Sequence, residues 1–388
     1  MDKITNRTVV CISSIDWDPL WTRKQQVMSR LPASCPILYV EPPITLLSPL
    51  KDRALRRRWL NWRGQLRRLP DRENIYLLTP PPVLPFGNKF RPVNRINQRW
   101  LLLFIRRAMR RLGLQNPLLW VYLPGSVDLV DALPHELLIY DCVDEHSAYT
   151  GLINRRVVLD MERELMGKCN LVFVTAPGLY EAKKGWARRI YYLPNAADVA
   201  HFGRAAAPET PLAPEMQGLP RPVLGFVGAI QDWIDLDLLA RTARAYPQGS
   251  MVLIGPVGAG VDVSELAALP NVHLLGRRDK EVLPSYMKGF DVCLNPFKIN
   301  ELTDRVSPLK FYEYLATGKP VVSVDMPGVR DFAGVIEIAA TPGEFVAAVG
   351  RALEQDTPQR RQQRLELARQ HSWDSRVRFM VEKIEELL

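Results

Sequence analysis

Short apolar runs alternate with helix-like stretches along most of the chain, and this alternation limits the possible folds more than any other feature. A first series of runs covers residues 8–12, 37–40, 75–78, 118–122, 137–140, 171–174 and 191–193; a second covers 223–227, 251–254, 272–275, 292–294 and 321–324. Strands that are apolar throughout are buried on both faces, and strands that alternate with helices run parallel. We therefore predict an α/β protein with two Rossmann-like, doubly wound domains.

The length of 388 residues agrees with two domains. We predict an N-terminal domain over residues 1–202, an Ala- and Pro-rich linker over 203–222 and a second domain over 223–370. A final helix over 371–388 can pack back on the first domain. Because open parallel sheets bind ligands at the carboxyl ends of their strands, a cleft faced by both domains is the expected site.

The cysteine content and the hydropathy of the chain indicate the cellular compartment. The five cysteines are odd in number and form no CxxC pair, which favours neither a disulfide framework nor a zinc site. The N-terminus has no long apolar segment, and no apolar run approaches the roughly 18 residues of a membrane span. We predict a cytoplasmic protein without an integral anchor.

Positive charge is concentrated in one segment of the first domain. Residues 51–111 hold 17 basic and 3 acidic side chains, whereas the whole chain has a formal charge of +9. The rest of the protein is therefore net acidic. Such a segment indicates an anionic partner: nucleic acid, a membrane surface or a phosphorylated substrate.

An apolar stripe runs through this basic segment. Its members recur at spacings of four, three, four and three: Leu55, Trp59, Trp62, Leu66 and Leu69. Arginines surround the stripe at Arg56, Arg57, Arg58, Arg67 and Arg68. This pattern is typical of an amphipathic helix lying in an anionic membrane interface. An ordinary helix that packs its stripe on its own domain has the same pattern.

The stretch SPLKFYEYLATGKPVV, residues 307–322, carries the most specific signal. Ser307 and Pro308 suit a helix start, and Gly318 with Pro320 suits its end. A helix N-terminus offers free N–H groups to a diphosphate, and Lys310 adds a full charge in the first turn. Glu313, on the same face, can accept hydrogen bonds from vicinal ribose hydroxyls. A capped amphipathic core helix with solvated charges is the alternative.

This stretch resembles the nucleotide-sugar signature of family 4-type glycosyltransferases with the GT-B fold. Other segments are similar in order along the chain: LPNAAD (193–198), LGFVGAI (224–230), NVHLLGR (271–277) and DVCLNP (291–296). The segments SSIDWDPLWTRKQQ and IYDCVDEHS resemble bacterial exopolysaccharide and teichuronic-acid glycosyltransferases, including the xanthan glucuronosyltransferase. The resemblance implies sugar transfer from a nucleoside diphosphate, with UDP the expected nucleotide, to a lipid-linked saccharide.

The resemblance also assigns donor-binding residues. It implies a diphosphate role for Lys310, a ribose role for Glu313 and a place for Gly228 in the turn that opens the donor domain. Family 4 enzymes commonly have Glu eight residues before the helix Glu, where this chain has Arg305. The cationic pair common after the first donor-domain glycine is also missing. Arg305, Lys310 and Arg277 are then the candidates to meet the diphosphate charge, beside Ser307.

Carboxylates follow the predicted strand at 137–140. Asp141, Asp144 and Glu145 lie at its carboxyl end, where a desolvated carboxylate can deprotonate an acceptor hydroxyl. We predict Asp144 as the catalytic base, with a helix-capping role as the alternative. Asp141, Glu145 and His146 are candidate acceptor contacts.

Asp16-Trp17-Asp18 spells the DxD pattern of metal-dependent glycosyltransferases. It follows the first strand, where a GT-B enzyme places an acceptor loop. We therefore interpret Asp16 as an acceptor contact and predict neither a metal nor another cofactor.

Together these features predict a cytoplasmic glycosyltransferase held peripherally on the inner face of the plasma membrane. Its partners are a nucleotide-sugar donor, a polyprenyl-diphosphate-linked saccharide and an anionic membrane surface, and not nucleic acid. The alternatives are a nucleotide-sugar epimerase of the same fold and a nucleic-acid-binding protein, which would explain the Arg and aromatic mixture but not residues 307–322.

Overall fold

The computed structural model describes residues 3–19, 21–51, 55–149 and 151–388, and the chain forms two compact units. The first unit comprises Met1–Leu193 with Val377–Leu388, and the second comprises Pro194–Arg376. Each unit is built on a largely parallel sheet with helices in the connections. The predicted α/β class with two doubly wound domains is confirmed.

Among its described residues, the first unit contains an eight-stranded sheet in the order β3-β4-β2-β1-β5-β6-β7-β8. The strands are β1 (Val9–Ile12), β2 (Ile37–Val40), β3 (Gln65–Leu69), β4 (Arg72–Thr79), β5 (Leu118–Val121), β6 (Leu137–Cys142), β7 (Leu171–Val174) and β8 (Ile190–Tyr192). Strands β1, β2, β5, β6 and β7 are buried at every residue, as their apolar sequences require.

The helices of the first unit are α1 (Arg23–Met28), α2 (Ser48–Lys51), α3 (Arg56–Trp59), α4 (Arg91–Leu112), α5 (Val127–Val130), α6 (Arg155–Lys168) and α7 (Pro177–Lys183). The longest, α4, has Pro92 in its first turn and ends at Gly113 in the left-handed conformation. These are the residues that favour a helix start and stop. The chain end returns to this unit, where Ile4 donates its N–H to Glu385 Oε1 at 3.1 Å.

The prediction of one amphipathic helix through the stripe at 55–69 is wrong. The helix α3 ends at Trp59, and residues Gln65–Leu69 form β3, which pairs antiparallel with β4. Gly64 precedes β3 with a φ of +65°, a left-handed conformation that an ordinary helix does not contain. An edge strand tolerates arginines because its outer face and free edge meet water.

The second unit contains, within its described residues, a six-stranded parallel sheet in the order β11-β10-β9-β12-β13-β14. Its strands are β9 (Val223–Val227), β10 (Ser250–Ile254), β11 (Val272–Gly276), β12 (Val292–Asn295), β13 (Val321–Val324) and β14 (Glu337–Ala339). Its helices are α8 (Val199–Phe202), α9 (Leu236–Ala245), α10 (Ser264–Ala267), α11 (Leu283–Met287), α12 (Glu301–Asp304), α13 (Leu309–Thr317), α14 (Pro342–Glu354), α15 (Pro358–Gln370) and α16 (Trp373–Glu385), whose residues from Val377 onward belong to the first unit.

The Ala- and Pro-rich stretch at 203–222 is part of the second unit, whereas composition alone suggested a linker. Ala205, Ala213 and Met216 are buried in the apolar core of that unit, together with Phe202. Small and unbranched side chains pack closely against the sheet and its helices, so the same composition serves a covering segment.

Candidate functional site

The predicted donor residues lie at the carboxyl edge of the second unit's sheet. Gly228 follows β9, Arg277 follows β11, and the loop after β12 leads to α13. The turn at Gly228 approaches the turn after β10, and a Cβ on Gly255 would lie 1.8 Å from the carbonyl oxygen of Gly228. Only glycine fits at position 255 with these two turns in contact.

Ser307 does not cap α13, contrary to the prediction. Pro308 is the N-cap residue, with no side-chain capping hydrogen bond. The Ser307 hydroxyl instead accepts the backbone N–H of Asn195 at 3.1 Å, and its carbonyl accepts Asn195 Nδ2 at 2.7 Å. Ser307 therefore fastens the entrance of α13 to the segment that opens the second unit.

Lys310 and Glu313 lie together at the start of α13. Lys310 Nζ is 2.5 Å from Glu313 Oε2 and 5.6 Å from the centre of the Phe202 ring. Glu313 is 3% exposed, and its burial raises the pKa of the carboxyl, against the opposing charge of Lys310. A buried carboxylate with a neighbouring ammonium at a helix N-terminus can bind hydroxyl donors and an anion in one place.

Sequence reasoning missed a second ion pair near Glu313. Lys280 Nζ is 2.7 Å from Asp198 Oδ2, and the Lys280 carbonyl contacts His201 Nε2 at 2.8 Å. The charge of Lys280 lowers the pKa of Glu313 and that of Asp198 raises it. Asp198 is the last residue of the LPNAAD segment, so the sequence could have identified it as a site residue. Lys280 lies in no recognised motif and gave no such signal.

Arg277 and Arg305 each have an acidic neighbour on their own segment. Arg277 Nη2 lies 3.8 Å from Asp279, and Arg305 Nη1 lies 3.7 Å from Glu301. Both separations are long for an ion pair, and the Arg277 side chain is 44% exposed. These guanidinium groups add positive charge to the segments that follow β11 and β12.

In the first unit, β6 carries the predicted acceptor carboxylates. Asp141 lies within the strand itself, is fully buried and receives the Arg23 Nε–H at 2.8 Å. Arg23 also donates to the carbonyl of Leu193. Breaking such a buried pair leaves a charge without its partner, so this geometry favours a structural role over the predicted acceptor contact.

Glu145 is also part of a buried network. Its Oε1 accepts the Ser147 hydroxyl at 2.7 Å and lies 3.4 Å from Lys183 Nζ, which in turn pairs with Glu162 at 2.6 Å. Glu145 is 1% exposed. The network holds the loop after β6 to α6 and α7, which does not support the acceptor contact predicted for Glu145.

Asp144 differs from its acidic neighbours in being half-buried. Its Oδ2 accepts the hydroxyl of Tyr149, itself exposed, at 2.8 Å. The short 3₁₀ turn that follows, His146–Ala148, has Glu145 at its N-cap without a side-chain capping bond. The capping alternative for Asp144 is therefore wrong. Asp144 retains a carboxylate at a strand end that can receive a proton from a bound hydroxyl.

His146 and Lys24 lie beside Asp144 in a desolvated setting. Burial lowers the pKa of both side chains, and the charge of Asp144 opposes the decrease in each. His146 is 6% exposed, and its Nε2 has no hydrogen-bond partner among the described residues. A neutral imidazole with a free ring nitrogen is suited to a ligand hydroxyl.

The two carboxylates of the DxD pattern pair with arginines of the basic segment. Asp16 Oδ1 lies 2.6 Å from Arg58 Nη1, and Asp18 Oδ2 lies 3.7 Å from Arg67 Nη2. Asp16 is thus a half-buried residue with a cationic partner. Across the described residues, no group of three or more His, Cys, Asp or Glu side chains is arranged to hold a metal ion.

The predicted membrane-facing residues fall into two groups, those with a partner in the protein and those that are exposed. Three arginines have partners, in the pairs Arg58 with Asp16, Arg67 with Asp18 and Arg68 with Glu73. Arg56 and Arg57 are exposed, and no ion pair joins them to another described residue. Trp59 is half-buried and donates to the carbonyl of Leu46, whereas Trp62 is 44% exposed. No helix within the described ranges is both long and apolar enough to cross a bilayer.

Two doubly wound α/β units with helices in the connections define the GT-B fold. Residues 221–355 match the family described as glycosyl transferases group 1. The chain carries a group 1 glycosyltransferase domain and is a glycosyltransferase, as the motifs implied.

A curated relative supports the same class. A Bacillus subtilis (strain 168) protein, TuaH, assigned as a teichuronic acid biosynthesis glycosyltransferase, is 28% identical over 274 residues. The match covers 66% of this chain and 68% of the relative.

Solved structures match over nearly the whole chain and show the fold. Sucrose-phosphate synthase from Thermosynechococcus elongatus has a TM-score of 0.71 at 14% identity, covering 98% of this chain and 99% of that one. The E. coli trehalose-6-phosphate structure bound with UDP-2-fluoro glucose has a TM-score of 0.67 at 13% identity, with the same coverage. Anabaena HepE in complex with UDP has a TM-score of 0.66 at 13% identity, covering 98% and 100%. The predicted GT-B fold is confirmed.

Proposed function

We propose that this glycosyltransferase moves a sugar from a UDP-sugar to a lipid-linked saccharide during assembly of an envelope polysaccharide or exopolysaccharide. It works at the inner face of the plasma membrane and needs no metal. The nucleotide sugar is a substrate, and the cations of the chain meet its diphosphate charge.

The observation that carries the proposal is the Lys310–Glu313 pair at the start of α13. Glu313, held in place by burial and by Lys310, accepts hydrogen bonds from the two ribose hydroxyls. The Lys310 ammonium and the first-turn N–H groups of α13 attract the diphosphate. Arg277 and Arg305 contribute further positive charge from the same sheet edge. Two matched structures, one bound with UDP-2-fluoro glucose and one in complex with UDP, support UDP as the nucleotide.

The acceptor step depends on Asp144. Its carboxylate takes the proton from the attacking hydroxyl, while the hydroxyl oxygen bonds to the anomeric carbon and the nucleoside diphosphate leaves with the electrons of the broken bond. Tyr149 orients the carboxylate through its hydrogen bond to Oδ2. His146, neutral because it is buried, keeps a nitrogen free beside this carboxylate.

The envelope pathway and the lipid carrier rest on two kinds of support. The B. subtilis relative is named for teichuronic acid biosynthesis. In addition, eight of the sixteen large apolar side chains that are exposed in the described chain fall within residues 51–111, the segment with 17 basic and 3 acidic side chains. Apolar side chains mixed with cations suit an anionic membrane interface.

Three further arginines of the basic segment belong to this surface. Arg63, Arg107 and Arg111 line a cavity of about 560 Å³ between the β3–β4 hairpin and α4, next to Trp62 and Phe104. All three arginines are exposed, and no ion pair joins them to another described residue. With Arg56 and Arg57 they form what we call the free-arginine surface, which is available to lipid phosphates.

The donor half of the proposal is tested by calorimetry with UDP-glucose as the probe. Glu313→Ala should weaken binding about ten- to hundredfold, because hydrogen bonds to a charged group contribute about 1.5–3 kcal/mol. The exposed Glu354 provides the matched control, and Glu354→Ala should bind as the wild type does. Unchanged binding by a correctly folded Glu313→Ala variant would contradict the donor assignment.

A further inference from the structure

A groove in the first unit is separate from the buried ion pairs described above. It lies at the carboxyl ends of β1 and β2, under the N-terminal half of α4, and encloses about 470 Å³. Ile12, Val40, Leu101 and Leu129 are among the side chains that line it. Its volume is in the range of about 300–1,000 Å³ that small-molecule sites occupy.

The groove is built for an uncharged ligand. Its lining contains neither lysine nor arginine among the described residues, and its one acidic residue there, Glu41, has both carboxylate oxygens engaged. Trp17 donates its backbone N–H to Oε1, and the Thr79 hydroxyl donates to Oε2. A phosphate or other anion would find no counter-charge in the groove, whereas hydrocarbon would be removed from water.

Two buried polar atoms on the groove wall have no partner within the described residues. They are His146 Nε2 and Gln98 Oε1, while the nearby amides of Asn94 and Asn97 bind backbone carbonyls. A buried polar atom left unsatisfied costs about 1–3 kcal/mol, so such atoms indicate a ligand that completes them. His146 itself is only 6% exposed, so water cannot easily reach its ring.

The groove opens next to the proposed catalytic base. Tyr149, which donates to Asp144, is a lining residue and is 41% exposed. Leu84 and Leu152 also line the groove and are 39% and 49% exposed, so apolar surface continues from its interior to the protein surface. A ligand chain in the groove can therefore end at His146, close to Asp144.

We infer that this groove holds the apolar chain of the acceptor and that His146 Nε2 and Gln98 Oε1, both without a partner among the described residues, bind hydroxyl groups of the acceptor. The inference rests on the proposed function, in which the acceptor is lipid-linked. It specifies the chemical class of the groove ligand, which is an uncharged alkyl or isoprenoid chain. The groove is a different site from the free-arginine surface, which receives lipid phosphates.

Calorimetry with n-octyl β-glucoside below its micelle concentration tests the inference, with methyl β-glucoside as the chain-free probe. The wild type should bind the octyl probe at least tenfold more tightly than the methyl probe. Gln98→Trp fills the groove and should weaken octyl binding at least tenfold. Leu103→Trp adds the same ring on α4 at a position 57% exposed and outside the groove, and should bind as the wild type.

Two more variants keep the test decisive if Gln98→Trp folds poorly. Leu84→Glu places a charge at the open end and should also weaken octyl binding at least tenfold. His146→Phe replaces the imidazole with an aromatic ring that has no nitrogen. It should weaken octyl binding about three- to tenfold, which corresponds to the free energy of one neutral hydrogen bond. Equal binding of the two glucosides, or unchanged octyl binding in folded Leu84→Glu, would overturn the inference.

The result that would contradict the proposed function differs from the one that would overturn the groove assignment. UDP-glucose binding in the second unit is measured separately, so loss of the donor assignment leaves the octyl-glucoside outcome intact. Conversely, normal UDP-glucose binding with no preference for the octyl chain overturns the groove assignment alone.

Discussion

Glu313 is a carboxylate whose environment favours its neutral form and whose proposed task requires the charged form. Burial raises its pKa, while Lys310 at 2.5 Å and the more distant Lys280 favour ionisation. An ionised carboxylate accepts hydrogen bonds at both oxygens, whereas a protonated one loses part of that capacity. The lysines therefore maintain the acceptor form in a desolvated position.

This balance predicts a pH dependence of donor binding. Because burial raises the pKa of Glu313 above the ordinary 4.5, its acceptor capacity is lost at a higher pH than that of an exposed glutamate as the pH falls. We expect UDP-glucose affinity to decrease between pH 7.5 and pH 5, where its diphosphate diester does not titrate. Calorimetry across this range should show a weaker but nearly flat profile for Glu313→Gln. An identical slope in that variant would contradict the explanation.

At the residue scale, residue type and position along the chain do not determine the contacts that a side chain makes. Lys310, Glu313 and Asp144 were predicted from residue type and from their places beside a helix start or a strand end. Asp141 looked equivalent to Asp144 in sequence, but it is sequestered by Arg23, 118 residues away along the chain. Ion pairs between distant segments are created by the fold, so no local pattern could distinguish the two aspartates.

At the element scale, the strands of the sheet interiors were predictable because they are apolar throughout. Strand β3 was missed, since Leu66 and Leu69 continue a helical spacing and an edge strand needs no apolar run. Gly64 and Pro70 were the available signals against one long helix, and both flank β3. The local pattern misled because antiparallel pairing with β4 decides the structure of this segment.

Replacing Gly64 distinguishes the two structures by the sign of the effect. In a helix, Gly64→Ala would stabilise the protein by up to about 1 kcal/mol. At a φ of +65°, with Thr79 O 3.3 Å from the new Cβ, we expect the free energy of unfolding to fall by about 1 kcal/mol. Urea denaturation measures the change. Gly167→Ala, inside α6 with open space around its Cβ, is the control and should stabilise.

At the scale of the whole molecule, charge and exposed apolar surface are concentrated in the first unit. The free-arginine surface of Arg56, Arg57, Arg63, Arg107 and Arg111 lies among the exposed apolar residues of the same segment. The group 1 domain at 221–355 belongs to the other unit. Under the proposed function, membrane attachment and donor binding belong to different units, so substitutions should separate them.

Liposome flotation tests this separation. The wild type should float with vesicles containing anionic lipid, less so at high salt, because each cation near such a surface contributes about 1 kcal/mol. Changing the five arginines of the free-arginine surface to Gln should reduce binding at least tenfold. The control changes five exposed arginines of the second unit to Gln: Arg241, Arg244, Arg330, Arg361 and Arg369. Equal loss in both variants would indicate a general charge effect and contradict the assigned surface.

Transfer of label from radioactive UDP-sugars to lipid tests the central claim most directly. Purified protein is incubated with bacterial membrane lipids and each donor, and the label is followed into the fraction that organic solvent extracts. We predict that the wild type moves label into that fraction with one donor. Asp144→Asn should reduce transfer at least about a hundredfold while still binding UDP-glucose, because it removes the base but not the donor site. Label that stays in the nucleotide fraction, or that appears there in a different sugar when donor alone is supplied, would contradict the account.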